Sequence, residues 1–415
     1  MYPTNQQREL IALVQVLGLS VWFSATAVVP SLRAEWGIGS TAAVWLTASV
    51  QIGFVAGAVT SALVNLADRI RPQYLLAASA LGAATCTAAL ALCVNGFQAA
   101  VPLRFLTGMF LAGVYPVGMK LMASWSGSAE RGRSFGILLG ALTLGSALPH
   151  LIGGLGALPW RSVMLTAAAL AAVAAVVALG PLRPGPHLEI RAITPNPRHA
   201  MVVFTDRGAR LASLGYFGHM WELYALWAWL PMFVRAGHGR DAAEVIAFVA
   251  MGVAGAAGCL LGGWASDRFG RSPAAVAALT TSGACCVASP IFFTASTPVL
   301  VVFLLVWGAA VIADSGVFST VLSETTDTRF VGTALTAQTA LGFLLTVVSI
   351  QLVAVVAEAI GWQYAFLLLA PGPLLGAVAM SRHHHPQPEE ESHARLLTIP
   401  NPVRRPDRGA VTHRW

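Results

Sequence analysis

Twelve apolar stretches, each long enough to cross a bilayer, restrict the folds open to this chain more than any other feature. A membrane-crossing helix needs about 20 mainly apolar residues. Hydrophobic residues make up 56% of the 415 residues and charged residues 10%, whereas soluble domains average about 45–50% and 25%. Too few charges remain to cover a water-exposed surface, so we expect an all-α membrane protein.

The stretches fall into two groups of six, separated by a polar, proline-rich segment. Helices are expected because an isolated strand would leave its backbone groups unpaired in lipid, and the alternating segments of an outer-membrane barrel are missing. The predicted organisation is a bundle at 1–180, a cytoplasmic linker at 181–210, a bundle at 211–380 and a disordered cytoplasmic tail at 381–415. The stretches lie near 9–30, 41–64, 74–94, 98–122, 134–156, 162–180, 211–233, 243–264, 274–295, 298–321, 332–356 and 362–380.

The basic residues predict the orientation. Twelve spans put both termini on one side, and cytoplasmic termini place 20 of the 25 Lys and Arg residues inside. Four lie outside (Arg33, Arg161, Arg235 and Arg240), and Arg104 lies within a span. The opposite orientation would invert the positive-inside bias. We therefore attribute the net charge of +7 to loop residues that set the orientation in the membrane. We expect the protein to contact the lipid bilayer and not nucleic acid.

The two halves of the chain repeat one another. Matching residues are separated by 199 to 202 positions in four places: Trp22 and Trp221, Asp68-Arg69 and Asp267-Arg268, Gly132 and Gly332, Trp160 and Trp362. Parallel six-helix repeats about an axis along the membrane normal occur in alternating-access carriers, whose site lies at the repeat interface. We therefore expect two pseudo-symmetric bundles with a site between them.

The segment GWASDRFGR, from Gly263 to Arg271, resembles the signature loop G-x-x-x-D-R-x-G-R of the major facilitator superfamily (MFS). The first-half copy, VNLADRIRP, keeps the Asp-Arg pair and has lost both glycines. The resemblance covers about residues 9–380 and implies the twelve-helix MFS fold of a secondary transporter. It also implies that these loops latch the cytoplasmic ends of the bundles, although they could be topology charges only. The expected gating residues are Asp68, Arg69, Asp267, Arg268, Gly270 and Arg271.

Arg104, Glu222 and Asp314 are hard to place outside the hydrocarbon. Each would cost about 2.5–3.5 kcal/mol if it faced lipid at the midplane, so such residues face a cavity or pair with one another. In the family, spans 1, 4, 7 and 10 line the central cavity, and polar and aromatic faces fall on these four spans. Expected substrate-binding residues are Gln15, Trp22, Arg104, Tyr115, Tyr216, Trp229 and Trp307, and expected proton-coupling residues are His219, Glu222 and Asp314.

Structural alternatives stay open for these residues. Arg104 has a forked cation suited to an anionic group of the solute such as a carboxylate, or it is the structural partner of a carboxylate within the membrane. Glu222 carries the coupled proton, or it is a hydrogen-bonded carboxyl that never titrates. Asp314 can serve gating or topology, and the aromatic side chains can be packing or interfacial belt.

The sequence predicts proton-coupled uptake of a small organic solute, which we expect to be an anion, by a monomer in the bacterial cytoplasmic membrane. Uptake is favoured over export because the fifth span, GALTLGSALPHLIGG, breaks the antiporter pattern G-P-x-x-G-G. An exporter of drugs or metabolites is the alternative, and a sensor that does not transport is a more distant one. No nucleotide-binding loop, enzyme constellation, cofactor or metal site is expected, and the five cysteines lie in apolar runs.

Overall fold

A computed structural model describes residues 4–64, 66–126, 131–154, 158–188, 202–239, 243–326 and 331–383. In these ranges the regular structure is helical, without strands, and ten helices are long and apolar enough to cross a membrane. The remaining two spans are the first, which is broken, and the seventh, which is rich in Trp, Tyr and ionisable residues. The predicted tail lies outside the described residues from 384 onward.

The first bundle comprises spans 1 to 6. Pro116, near the start of the second helix of span 4, favours a helix start there because its ring has a fixed φ and no N–H. The helices are Thr4–Leu19, Ser24–Ala27 and Val29–Trp36 (span 1), Ser40–Leu63 (span 2), Pro72–Cys93 (span 3), Phe97–Leu111 and Tyr115–Ser124 (span 4), Arg131–Gly154 (span 5) and Trp160–Leu179 (span 6), with a short helix Leu66–Arg69 after span 2.

The second bundle repeats this order, and span 10 is broken at Asp314 as span 4 is broken at 112–114. A short helix, Val202–Thr205, precedes it. The helices are Arg207–His238 (span 7), Ala243–Ala247, a π-helical stretch Phe248–Ala254 and Gly255–Phe269 (span 8), Arg271–Phe292 (span 9), Thr297–Ala313 and Ser315–Thr325 (span 10), Val331–Ile360 (span 11), and Trp362–Ala365, a 3₁₀ turn Phe366–Leu369 and Pro371–Ser381 (span 12).

Glycines set the closest helix contacts in the same way in both halves. A side chain at Gly108 of span 4 would collide with the carbonyl of Val50 in span 2. A side chain at Gly308 of span 10 would collide with the carbonyl of Ala250 in span 8. Small residues let helix backbones approach closely in lipid, where burial of apolar surface gives no drive for association. The 200-residue offset between these contacts extends the repeat from sequence to packing.

The two bundles meet along spans 5 and 8 and along spans 2 and 11. A Cβ at Gly136 would lie 3.1 Å from the carbonyl oxygen of Cys259, and one at Gly252 would lie 3.0 Å from Cβ of Ala147. Alternation of the spans puts the loops after spans 2, 4, 8 and 10 on one side, which we call the basic face. Arg33, Arg161 and Arg235 lie on the other side, the opposite face.

Candidate functional site between the bundles

Four aromatic rings, two from each bundle, meet where the bundles touch, and we call them the interface aromatic cluster. They are Trp22 of span 1, Phe54 of span 2, Tyr224 of span 7 and Phe343 of span 11. The Trp22 centroid lies 5.1 Å from that of Phe54 and 5.8 Å from those of Tyr224 and Phe343. Such spacings are typical of interacting ring pairs. All four side chains are buried, and the indole N–H of Trp22 has no hydrogen-bond partner in the described part of the chain.

Arg104 lies directly behind this cluster and holds the break in span 1. Its Nη2 donates to the carbonyl of Trp22 (2.5 Å) and its Nη1 to that of Val21 (3.1 Å). Nη1 also reaches Ser24 Oγ at 3.3 Å, and Nε donates to the carbonyl of Leu46 at 3.1 Å. A broken helix leaves carbonyls without an intrahelical partner, and the guanidinium supplies donors for them. No carboxylate is among these partners, so a positive charge sits beside the cluster.

Glu222 lies inside the second bundle and contacts spans 9 and 10. Its Oε1 accepts hydrogen bonds from Ser282 Oγ and Trp307 Nε1, both at 2.6 Å, and from Cys286 Sγ at 3.2 Å. The side chain is buried. Three donors on one oxygen compensate the loss of water around a buried carboxyl group.

His219 and Asp314 form a buried pair where span 10 breaks. His219 Nδ1 lies 2.9 Å from Asp314 Oδ1, and His219 Nε2 lies 2.9 Å from Ser315 Oγ. The two atoms are as close as in an ion pair, but their orientation does not allow a hydrogen bond between them. Two of the three predicted proton-coupling residues are therefore in direct contact, and Glu222 lies one turn away from His219 on span 7.

The other predicted substrate-binding residues spread over several environments. Gln15 joins spans 1 and 4 through a 3.1 Å bond from Nε2 to the carbonyl of Val114. Trp307 is wholly buried in the second bundle, where its N–H bonds Glu222. The ring of Tyr216 lies 6.1 Å from that of Phe318 in span 10. The structure therefore does not bring the seven predicted residues together.

Tyr115 and Trp229 each border a small cavity between the bundles. The Trp229 cavity has about 20 Å³ for water and also contacts Thr26 and Glu244, and the Tyr115 cavity has about 10 Å³ and contacts Ser315. One water needs roughly 10–15 Å³, so neither cavity holds an organic solute. A solute could therefore occupy these two places only after the bundles separate.

The predicted gating residues lie on the basic face. The carboxylate of Asp267 packs against Gly132 at the start of span 5, where any side chain would collide with both carboxylate oxygens. The start of a helix carries positive charge from free N–H groups, so a carboxylate is favoured there. Arg271 pairs with Glu324 of span 10. Gly270 has φ +91°, a conformation that favours glycine.

The rest of the predicted loops differ from this arrangement. Arg69 and Arg268 are exposed, and the Asp68 side chain lies outside the described residues. Arg71, which occupies the place of Gly270 in the first copy, has φ −56°. The two copies of the loop therefore turn differently, as the lost glycine in the first copy requires.

Sequence reasoning identified Trp22 but not Phe54, Tyr224 and Phe343. Phe54 and Phe343 are on spans 2 and 11, which were not among the four spans expected to line the cavity. A usable signal was present, since aromatic residues interrupt otherwise small and aliphatic stretches of these spans.

Comparisons with known proteins agree with this architecture. The family model of the Major Facilitator Superfamily matches residues 11–350 and 212–409. The gallate transporter of Pseudomonas putida is 28% identical over 63% of this chain and 65% of its own length. The niacin transporter NiaP of Acinetobacter baylyi is 25% identical over 71% of this chain and 74% of its own length.

A solved structure shows the same fold. The chain is similar, with a TM-score of 0.72 and 15% identity, to the proton:xylose symporter XylE bound to 6-bromo-6-deoxy-D-glucose. The similarity covers 92% of this chain and 96% of that one. The paired bundles, the repeated packing and the matched family model lead to one conclusion: this chain belongs to the Major Facilitator Superfamily of membrane transporters, with the twelve-helix fold of that family.

Proposed function

We propose that this protein takes up a small organic anion together with protons, by alternating access of its two bundles at the interface aromatic cluster. The observation that carries this proposal is the position of Arg104. Its charge lies buried beside the cluster, the carbonyl of Trp22 is one of its partners, and no carboxylate is among them. An uncompensated cation in a medium of low polarity attracts an anion strongly.

The cluster supplies the rest of the site. When the bundles separate, the rings of Trp22 and Phe54 part from those of Tyr224 and Phe343 and can stack on a flat, unsaturated or apolar part of the solute. The free indole N–H of Trp22 can then donate to its anionic group. The relatives named for gallate and niacin carry carboxylic acids with flat rings, which supports this class of solute.

Glu222 is the proposed proton carrier, with the His219–Asp314 pair beside it. A buried carboxyl that accepts three hydrogen bonds has a defined place for a charge. Without a cationic partner among those contacts, it can also hold a proton at moderate cost. Movement of span 10 relative to span 7 would change its contact with Trp307, and so links the proton to the motion of the helices.

The orientation and the latch complete the proposal. The basic face is placed in the cytoplasm, as the positive-inside bias favours, and the contact of Asp267 with Gly132 then closes the cytoplasmic side. In this orientation the opposite face is periplasmic.

The test is uptake of labelled gallate and nicotinate into proteoliposomes with an imposed inward proton gradient. Accumulation above equilibrium by the wild type is expected. Glu222→Gln should abolish accumulation and preserve exchange of solute between the two sides, whereas Glu358→Gln, an exposed carboxylate on the opposite face, should behave as the wild type. Unchanged proton dependence in Glu222→Gln would remove that residue from the coupling, and extrusion of preloaded solute would show an exporter.

A further inference from the structure

Three ionisable side chains that the proposed site does not use meet on the opposite face, where the two bundles touch. His150 Nδ1 of span 5 lies 2.7 Å from Glu244 Oε2 at the start of span 8. Arg235, in the last turn of span 7, donates to the other oxygen, Oε1. One carboxylate of the second bundle is thus shared between a cation of its own bundle and an imidazole of the other.

The contact is closely packed. His150 is 5% exposed and Glu244 7%. One turn beyond His150, a Cβ at Gly154 would lie 2.8 Å from Val245 Cγ2 and 3.2 Å from Cβ of Glu244. The bond between His150 and Glu244 therefore forms only when spans 5 and 8 are in contact, and separating the bundles at this face breaks it.

A cavity with room for one water borders this group. Glu244 borders the 20 Å³ cavity, whose walls include Thr26 and Pro30 of span 1 and Trp229 of span 7. That cavity lies between the bundles, so it widens toward the opposite face when they part. His150 would then face solvent and exchange a proton with it, since histidine is the side chain that changes charge between pH 5 and 8.

We propose that His150 is a second proton-binding site, which closes the opposite face when it holds a proton. Neutral, it gives the Glu244 carboxylate a hydrogen bond in which only the acceptor is charged. Protonated, it adds a second, opposite charge to that bond, and the added attraction ties span 5 to span 8 more strongly. In the proposed uptake cycle, a proton taken from outside would thus favour the step that closes the outside.

The other charged side chains on the opposite face either have partners of their own or pair with Glu244. Arg235 already pairs with Glu244, and His238 Nε2 is bonded to the carbonyl of Ala295. Glu35, beyond the apolar stretch 9–30 of span 1, is bonded to Trp160 and Arg161. Arg33 lies on the same helix of span 1, and Arg240 and Asp241 fall outside the described residues. Glu244 is therefore the described carboxylate that a charged His150 would meet.

The inference rests on the proposed alternating access, but its test needs no transport. Spin labels at Gln98 and Ser296, exposed positions of the two bundles on the opposite face, report its opening. The labels are attached to cysteines introduced at these positions of the full chain in nanodiscs, after the native cysteines have been replaced. Cys286 is replaced by serine, so that a side-chain hydroxyl can still donate to Glu222. Distances are measured by double electron–electron resonance at pH 8 and pH 5.5 without solute.

The expected result is that acid raises the ratio of closed to open molecules about tenfold, which corresponds to about 1.4 kcal/mol of added attraction between the imidazolium and the carboxylate. His150→Asn keeps a neutral donor and should remove the response to pH, and His150→Gln serves if that variant does not fold. Glu244→Gln should open the face at both pH values. His238→Asn, a histidine on the same face, should retain the wild-type response.

A pH response that persists in His150→Asn, is missing in the wild type or disappears in His238→Asn would overturn the inference. These outcomes differ from failure of the proposed function. Absence of solute uptake with an intact response of the distances to pH would contradict the transport proposal and leave the proton site in place.

Discussion

Replacing Arg104 by lysine tests whether this residue stabilises the broken first span as well as attracting the solute. Lysine keeps the positive charge but presents a compact ammonium group in place of the planar fork. The guanidinium makes four hydrogen bonds to Leu46, Val21, Ser24 and Trp22. We expect the ammonium to retain two of them, because the acceptors surround a group that is wider than an ammonium.

The magnitude follows from the bonds that are lost. Hydrogen bonds with a charged partner contribute about 1.5–3 kcal/mol each, so two of them amount to about 3–6 kcal/mol. Unfolding entropy of about 2.1 cal/mol/K per residue then converts this loss to a Tm lowered by roughly 3–7 °C for the whole chain. The measurement is thermal unfolding of the purified protein in detergent, followed by tryptophan fluorescence, without solute.

Arg161→Lys is the matched control. Arg161 pairs with Glu35 at 2.9 Å, but both side chains are more than one third exposed. Exposed ion pairs contribute about 0–1 kcal/mol, so this variant should change Tm by about 1 °C or less. An unchanged Tm in Arg104→Lys, together with weaker binding of the solute, would refute the structural part of the reasoning and leave Arg104 as a substrate ligand alone.

Three further predictions address other parts of the molecule. Gly136→Val should push span 5 away from span 8, because a Cβ at Gly136 lies 3.1 Å from the carbonyl oxygen of Cys259, and maleimide should then label Cys259 faster, as read by peptide mass spectrometry. The control Gly153→Val, with open space around Gly153, should leave the labelling rate unchanged. Equal labelling rates in Gly136→Val and the wild type would argue against a tight contact. Trp22→Ala should weaken binding of gallate about tenfold, because a stacked aromatic pair contributes about 0.5–1.5 kcal/mol beyond the burial of its surface. An unchanged affinity, measured by calorimetry, would show that the solute does not bind at Trp22. Hydrogen bonds from the Trp160 N–H and from Arg161 hold the pKa of the Glu35 carboxyl below its ordinary value of 4.5. The stability that ionised Glu35 adds is therefore present above pH 4.5 and is lost as the pH falls through the lowered pKa. Plots of Tm against pH for the wild type and Glu35→Gln should converge in acid, and parallel plots would contradict this.

Much of the fold follows from local chemistry in the sequence. Apolar length predicts the spans, and the near-constant offset between Trp22 and Trp221 or Gly132 and Gly332 predicts paired bundles. The breaks at 20–23 and at Asp314 are harder to predict, because neither place contains proline. They depend on partners from other helices, Arg104 in one case and His219 in the other.

The candidate site was predicted less completely, for a geometric reason. A period of 100° per residue says which side chains share a helix face, and it does not say toward which bundle that face points. Trp307 and Glu222 share a hydrogen bond inside the second bundle, whereas Trp22 points to the interface. Nor does the sequence place Glu244 next to His150, since 94 residues separate them and contact arises only when the bundles close.

The central claim is that an organic anion and a proton enter together, and solute-driven proton movement tests it most directly. Proteoliposomes containing the purified protein and a trapped pH-sensitive dye receive gallate or nicotinate on the outside, with no pH gradient imposed. The account predicts acidification of the interior by the wild type and none by Glu222→Gln, although labelled solute still exchanges in that variant. Entry of labelled solute without acidification in the wild type would contradict proton coupling.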